Sequence, residues 1–260
     1  MPKALCAIMG CVLALAAPAV SAQVPSDRCS KPAPGADLST CDLSGRNLAG
    51  RDLTGARLSG AKLENTNLRG ARLDGADLRG ANLKWANLTK ASLRKADLRD
   101  ADLFHTTLDE ADIGAARLNK ATLFGANLIR TRAVEADRSG AYLKDVLMEG
   151  IDLSGGSMAD TYMLRGVISG GRFVNAKLMR VDMTGAAAEG CDFTGADLSG
   201  TRLAGASLRD SVFRNTVLKG ADFSNADLVD AVFDGTRDVP TSLMKAVAGQ
   251  FGFKDMMKGM

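Results

Sequence analysis

Few residues in this sequence have the type and spacing that enzyme chemistry requires. The chain has one histidine, His105, so acid–base catalysis by histidine would depend on that residue alone. The sequence contains no paired CxxC segments, HExxH motif, phosphate-binding glycine-rich loop or nucleophile elbow. We therefore predict a protein that is not an enzyme and that binds no cofactor.

Aspartates recur beside leucines along most of the chain, and a cation site is the first chemistry they suggest. Asp77 and Asp97 are twenty residues apart and would stack if the fold repeats at that interval. Arg57 and Arg117 belong to the same twenty-residue series, so a surface of neutralised charges is the simpler interpretation. We predict no metal site.

Residues 1–22 bear on where the protein resides. Lys3 precedes an apolar run that ends in Ser21 and Ala22, a pattern typical of a cleaved secretory signal peptide. An uncleaved membrane anchor is the alternative, but no later segment approaches the length of a membrane span. We predict a periplasmic or secreted protein without stable membrane insertion. In that oxidising environment a disulfide between Cys29 and Cys41 is expected.

A five-residue repeat organises the rest of the chain. A large apolar residue, usually leucine, occupies every fifth position from Leu38 to Phe233, except at Ala133, Arg138 and Ala188. A step of five turns a helix by about 140° and moves a continuous strand to its opposite face. Neither element would bury these residues on one side. Each unit must be a very short strand followed by a corner.

A second period of twenty gives the number of corners in one coil. Inward aromatic residues recur at this spacing, as stacked rings would, at Phe173, Phe193, Phe213 and Phe233. Outward charges alternate in sign at the same spacing, at Asp112, Arg132, Asp152, Arg172 and Asp192. We predict four units per coil and about ten coils. Glycine is frequent at corners up to Gly80 but rarer from Trp85 onward, where we expect a different corner geometry.

The A-(D/N)-L-x-x pattern of residues 36–235 resembles the pentapeptide-repeat family. The resemblance implies an all-β fold, a right-handed quadrilateral parallel β-helix with the central residue and the preceding small residue inside. Both ends of such a solenoid need caps. We expect residues 23–35 to form the N-terminal cap or lead-in, and residues 236–260, which have a helical pattern, to form a short C-terminal helical cap.

Two stretches weaken the repeat. Arg138 would carry a charge into the core, and because a buried unpaired guanidinium is costly we expect the backbone to bulge near Ala133 and Arg138. Methionines replace several central leucines between Val146 and Val181. Drift within the repeat explains this second stretch, with a hinge or a projecting loop as the alternative.

The outward aromatic residues form a candidate interaction surface. Their units are centred twenty residues apart, which places them on one side of the coil together with His105: Trp85, Phe104, Phe124, Tyr142 and Tyr162. A protein partner, a glycan, and packing within the molecule are the competing interpretations. Val212, Val217 and Val232 are also outward and apolar, and they are either covered by the tail or used in self-association.

We therefore predict a non-catalytic exported scaffold that presents a rigid surface to a protein partner in the envelope, or to a second copy of itself. A glycan-binding envelope module is the alternative. The resemblance also raises the DNA mimics that protect type II topoisomerases, but that role needs an acidic surface and a cytosolic location. The formal net charge of +3 does not suit it, and we expect no nucleic-acid binding.

Overall fold

The computed structural model describes residues 28–251, with no side-chain detail at the last two positions. The predicted signal peptide, residues 1–22, lies outside the described residues, as do the start of the lead-in and the last residues of the tail. Within the described part, the regular helices are a 3-10 turn at Arg28–Ser30 and one α-helix, α1, at Thr241–Phe251.

Parallel β-bridges between residues twenty apart build everything between these two helices. The first joins Asp37 to Arg57 and the last joins Val217 to Arg237. Leu38 N donates to Arg57 O at 2.7 Å, and Arg57 N donates to Ala36 O at 2.9 Å, so this outward residue is bonded to the preceding coil through both its N–H and its C=O. Four five-residue units complete one coil, which confirms the period of twenty.

The inward side of the walls is predominantly apolar. The central residues and the small residues two places earlier are almost all fully buried and form one continuous core. Phe173, Phe193, Phe213 and Phe233 stack as predicted, with successive ring centroids 5.1, 5.0 and 4.9 Å apart. Phe223 meets the last two rings edge-on. The stacked rings tie the last coils together through side chains as well as through the backbone.

The expected change of corner geometry after Trp85 is wrong. The last residue of every unit has a positive φ, whether it is glycine, as at Gly80 (61°), or not, as at Trp85 (53°) and Lys90 (60°). The turn is closed in both cases, for example by Ala86 N donating to Leu83 O at 2.9 Å. A type II turn needs positive φ at this position. Trp85 N also donates to Phe104 O at 2.9 Å, and such bonds between coils offset the strain of a side chain there.

The expected backbone bulge at Ala133 and Arg138 is also wrong. Asp137 bridges to Ser157 and Arg117 in the normal register, and Arg138 N donates to Ser157 O at 2.8 Å. Arg138 therefore points inward like any other central residue and is fully buried. The backbone bonds of one coil outweigh the preference of one side chain, so the charge goes into the core.

The stretch from Val146 to Val181 keeps the same register. Leu147 bridges to Val167, and Asp152 bridges to Arg172. Within these residues no segment projects from the wall. Sequence variation within a regular repeat, and not a projecting loop, accounts for the methionines in this stretch.

The N-terminal end of the core is covered by the lead-in. Cys29 and Cys41 are joined by a disulfide, with their Cα atoms 5.6 Å apart. Arg46 Nη1 donates to Cys29 O at 2.7 Å, and Arg28 pairs with Asp37 at 3.2 Å. The remaining described cysteine, Cys191, is buried, and burial raises the pKa of its thiol to about 12, so it is unreactive.

Helix α1 lies on the other end of the core. Leu243 is fully buried there, and Val247 packs against the same cluster. Ser242 Oγ accepts a hydrogen bond from Phe223 N at 3.2 Å and donates one to Ala221 O at 3.0 Å. Its hydroxyl therefore satisfies backbone groups that a further coil would otherwise pair with at that edge. Among residues 28–251 no helix is both long and apolar enough to cross a membrane.

The outward aspartates stabilise the corners. Asp42 Oδ1 accepts a hydrogen bond from Ser44 N at 3.1 Å, and Asp52 Oδ1 accepts one from Thr54 N at 3.0 Å. Asn47 uses its amide oxygen in the same way, at 3.2 Å from Ala49 N. This bond explains why Asp or Asn precedes the central leucine. Side-chain and backbone hydrogen bonds from the residue two places on lower the pKa of Asp42 and Asp52.

Acid is expected to destabilise the protein through these carboxylates. A carboxyl whose folded pKa lies below its unfolded value of about 3.9 stabilises the fold fully above that value, and loses this effect as the pH falls through the folded pKa. The free energy of unfolding, measured by denaturant titration, should therefore be level from pH 7 to about pH 5 and decrease below about pH 4.

An asparagine variant provides the control for the acid effect. In Asp42→Asn with Asp52→Asn, the amide oxygen keeps the corner bond, as Asn47 does, but it does not titrate. The decrease in stability on acidification should be smaller than in the parent protein. An identical pH dependence in both proteins would show that these aspartates are not its source.

Candidate interaction surface

Five aromatic side chains and His105 lie along one wall and the corner that follows it. Tyr142 and Tyr162 occupy outward strand positions and are joined by a β-bridge. The others lie on the corner that follows, namely Trp85, Phe104, His105 and Phe124. We call these six residues the aromatic column. The structure brings together all the residues that the twenty-residue spacing had grouped.

The rings of the aromatic column form one continuous series of contacts. Phe104 and Phe124 are stacked with centroids 5.4 Å apart, Phe124 and Tyr142 at 6.3 Å, and Tyr142 and Tyr162 at 5.3 Å. Trp85 meets Phe104 edge-on at 5.4 Å. Because Phe104, Phe124, Tyr142 and Tyr162 are stacked along the coil axis, their facing sides cover one another and their edges point outward, whereas Trp85 is perpendicular to this stack.

Much of the aromatic column is accessible. The exposed fractions are 48% for Trp85, 39% for Tyr142 and 36% for Tyr162, while Phe104 and Phe124 are half-buried between their neighbours. Together with Leu147 (38%) and Met244 (38%), these three are the large exposed apolar side chains of the described residues. Stacking within the molecule therefore accounts for only part of this surface.

The position of His105 depends on a glycine one coil away. Its ring lies edge-on to Phe104, 4.4 Å between centroids, and 5.8 Å from Phe124. A Cβ atom at Gly125 would come within 2.6 Å of the His105 ring, so any other residue there would displace the ring from this position. Lys144 Nζ, 5.9 Å from the Phe124 centroid, adds a cation beside the rings.

Two outward apolar residues next to the aromatic column, Leu147 and Val167, were not predicted to be part of the surface. Leu147 is 38% exposed and bridges to Val167 on the wall that follows Tyr142 and Tyr162. A signal was available, because the outward position of this wall is polar in the earlier coils and turns apolar here. The series reads Asn47, Asn67, Asn87, Thr107, Asn127, Leu147, Val167 and Ala187. The apolar surface is therefore wider than the rings alone.

Many of the charged groups elsewhere are paired with one another. Arg79 lies 2.7 Å from Asp77 and Arg99 lies 2.6 Å from Asp97, and these hydrogen-bonded guanidinium groups lower the pKa of both carboxyls. The neutralisation comes mainly from the corner arginines rather than from Arg57 and Arg117. In residues 28–251 no group of side chains is suited to hold a metal ion.

The outward valines near the C-terminal end are only partly covered. Val212 bridges to Val232 on one wall, Val217 lies on the next wall, and all three are half-buried. The last residues of the tail, which would cover them under one of the two interpretations, lie outside the described residues. Both interpretations of these valines stay predictions.

Comparisons with known proteins agree with the geometry. The family model for pentapeptide repeats matches in 8 copies, over residues 41–80, 81–119, 167–200 and 196–235. HetL, a pentapeptide repeat protein involved in heterocyst differentiation regulation from the cyanobacterium Nostoc sp. strain PCC 7120, has 32% sequence identity, with 78% of this chain and 89% of that chain covered and a TM-score of 0.45.

Two further solved structures are similar over different lengths. A pentapeptide repeat protein from the Arabidopsis thaliana thylakoid lumen has 32% identity, with 35% of this chain and 63% of that chain covered and a TM-score of 0.34. QnrB1, a plasmid-mediated fluoroquinolone resistance protein, has 19% identity, with 81% and 97% covered and a TM-score of 0.40. No curated protein matches the sequence.

Proposed function

The chain belongs to the pentapeptide-repeat family, and from this premise we propose that it is a non-catalytic, exported interaction module that binds a protein of the envelope. Its fold is accordingly a right-handed β-helix. The observation that carries the proposal is the aromatic column, a continuous apolar surface on a molecule whose other outward positions are mostly polar or paired.

The rigidity of the support favours binding through this surface. Each ring is attached to a backbone that is bonded to the coil on either side, as Tyr142 N is to Ala121 O (3.0 Å) and Leu143 N is to Tyr162 O (2.8 Å). Ring contacts restrict the side chains further. Little conformational entropy remains to be lost on binding, which improves the affinity that a given apolar area can supply.

The direction of the rings favours a protein partner over a glycan. Sugars bind aromatic residues through ring faces, but the faces of Phe104, Phe124 and Tyr142 are covered by their neighbours, at interplanar angles of 8° and 11°. The outward edges, with Leu147 beside them, suit the apolar side chains of a protein.

Export is supported by the N-terminal pattern and by the disulfide. The signal-like residues 1–22 predict secretion, and the Cys29–Cys41 bond at the N-terminal end of the core is the kind of link that persists outside the cytosol. We therefore place the proposed partner in the periplasm or at the cell surface.

Photocrosslinking in intact cells tests the proposal. A photoreactive residue at position 85 or 124 should capture one defined protein of the envelope. The same residue at position 95 should not, because Lys95 is also an exposed corner residue but lies on the opposite side of the coil. Equal capture from all three positions, or crosslinks only to the protein's own tail, would refute the proposed surface.

Alanine variants separate binding from stability. Trp85→Ala with Tyr142→Ala removes two exposed rings, so capture from position 124 should fall at least about tenfold, while the unfolding temperature changes by only a few degrees because both rings are partly solvated. A large loss of stability with unchanged capture would instead assign the rings to packing within the molecule.

A further inference from the structure

Arg138 is the one charged side chain that occupies a central, inward position in the solenoid. It is completely buried, and its Nε, Nη1 and Nη2 atoms have no hydrogen-bond acceptor among the described residues. A guanidinium has five N–H donors and remains protonated in proteins. The core of this coil therefore contains an unpaired cation.

Among residues 28–251, no charged group compensates this cation. Burial lowers the pKa of Arg138 to about 10 and is its only cause of a shift, so no carboxylate acts on it and it stays charged at neutral pH. An uncompensated ion in a protein interior costs several kcal/mol even after relaxation. An opposite charge at this point would offset that cost.

The surrounding backbone is also engaged elsewhere. Ala133 O accepts from Ala136 N at 3.0 Å, Ala136 O accepts from Ser157 N at 2.9 Å, and Ser157 O accepts from Arg138 N at 2.8 Å. Arg138 O accepts from Ala141 N (2.9 Å) and from Thr161 Oγ1 (3.2 Å). These carbonyls bond within the ladder, and none lies within hydrogen-bond distance of the guanidinium, so its N–H donors are free to bind a ligand.

We propose that the core of the solenoid holds a small monovalent anion, a halide such as chloride, against the Arg138 guanidinium. Ala133, the central residue of the preceding unit, is smaller than the large apolar residue usual there, so the adjacent wall fills less of the core beside Arg138. A halide is small, needs no fixed geometry, and accepts several N–H donors at once.

The proposed anion site is tested by measuring the unfolding temperature with and without chloride. The parent protein, refolded without halide and then with chloride in place of gluconate at constant ionic strength, should gain roughly 5 °C in unfolding temperature, since the ligand binds only the folded state. Arg138→Met has a similar length and no charge, so its unfolding temperature should not respond to chloride. An equal response in both proteins would assign the effect to surface ions and overturn the proposal.

Crystallography gives a test that does not depend on the variant. Crystals of the parent protein refolded in bromide should show an anomalous peak within hydrogen-bond distance of the Arg138 guanidinium. Ordered water without an anomalous signal at that position would overturn the proposal, even if the protein responds to salt.

Discussion

Replacing Phe213 with alanine is expected to destabilise the C-terminal coils by about 3–5 kcal/mol. The Phe213 ring is fully buried, with centroids 5.0 Å from Phe193 and 4.9 Å from Phe233, and it meets Phe223 edge-on at 5.9 Å. Its removal leaves a cavity and breaks three ring contacts. The ladder of stacked rings then loses the member that joins the last two coils to the rest.

The loss should be local, because each coil contacts only its neighbours. Amide hydrogen exchange should accelerate between Phe193 and Phe233 and stay unchanged between Leu43 and Leu78. Phe213→Leu restores the usual central residue and should cost less than half as much. A uniform acceleration along the whole chain would contradict this description of the solenoid as a series of coupled coils.

The walls of the solenoid could be predicted because the side-chain types repeat at the same intervals as the structure, five residues per unit and twenty per coil. A large apolar residue at nearly every fifth position, and phenylalanine at every twentieth from Phe173 to Phe233, give the direction and register of the units without reference to any distant contact. The corner conformation could not be predicted in this way. Lys90 and Gly80 look different in sequence, but the hydrogen bonds between coils impose the same positive φ on both.

At Arg138 too, the hydrogen bonds between coils determine the backbone conformation, and the preference of the side chain does not. Its charge alone predicts a bulge, yet the bonds on either side keep it in register and bury it. The conformational preference of a single residue determines the structure only where hydrogen bonds to neighbouring coils do not fix the backbone. In this solenoid they fix it at almost every position.

The aromatic column could be located from the sequence but not described. Spacing alone places Trp85, Phe124 and Tyr162 on one side of the coil. The stacking that covers the ring faces depends on side-chain rotamers, which no periodicity encodes. Leu147 is as exposed as Tyr142, but it is aliphatic and lies on the next wall, so the spacing of the aromatic residues does not indicate it.

Removing the single unit 116–120 should abolish capture of the partner and leave the fold intact. The deletion preserves the order of small, outward and central residues, so the coils still close. It moves every later residue back by one wall, however. Trp85 and Phe104 then lie a quarter of a turn away from Phe124, Tyr142 and Tyr162, and one partner surface cannot contact both groups.

Removing residues 61–65 is the matched control for that deletion. It also takes out one complete unit, but it lies before Trp85, so all five rings keep their positions relative to one another. The two shortened proteins should unfold within a few degrees of each other, while capture from position 124 differs by at least about tenfold. Because both have lost the same number of units, solenoid length cannot explain a difference between them. If both capture the partner equally, alignment of the rings along one wall is irrelevant to binding.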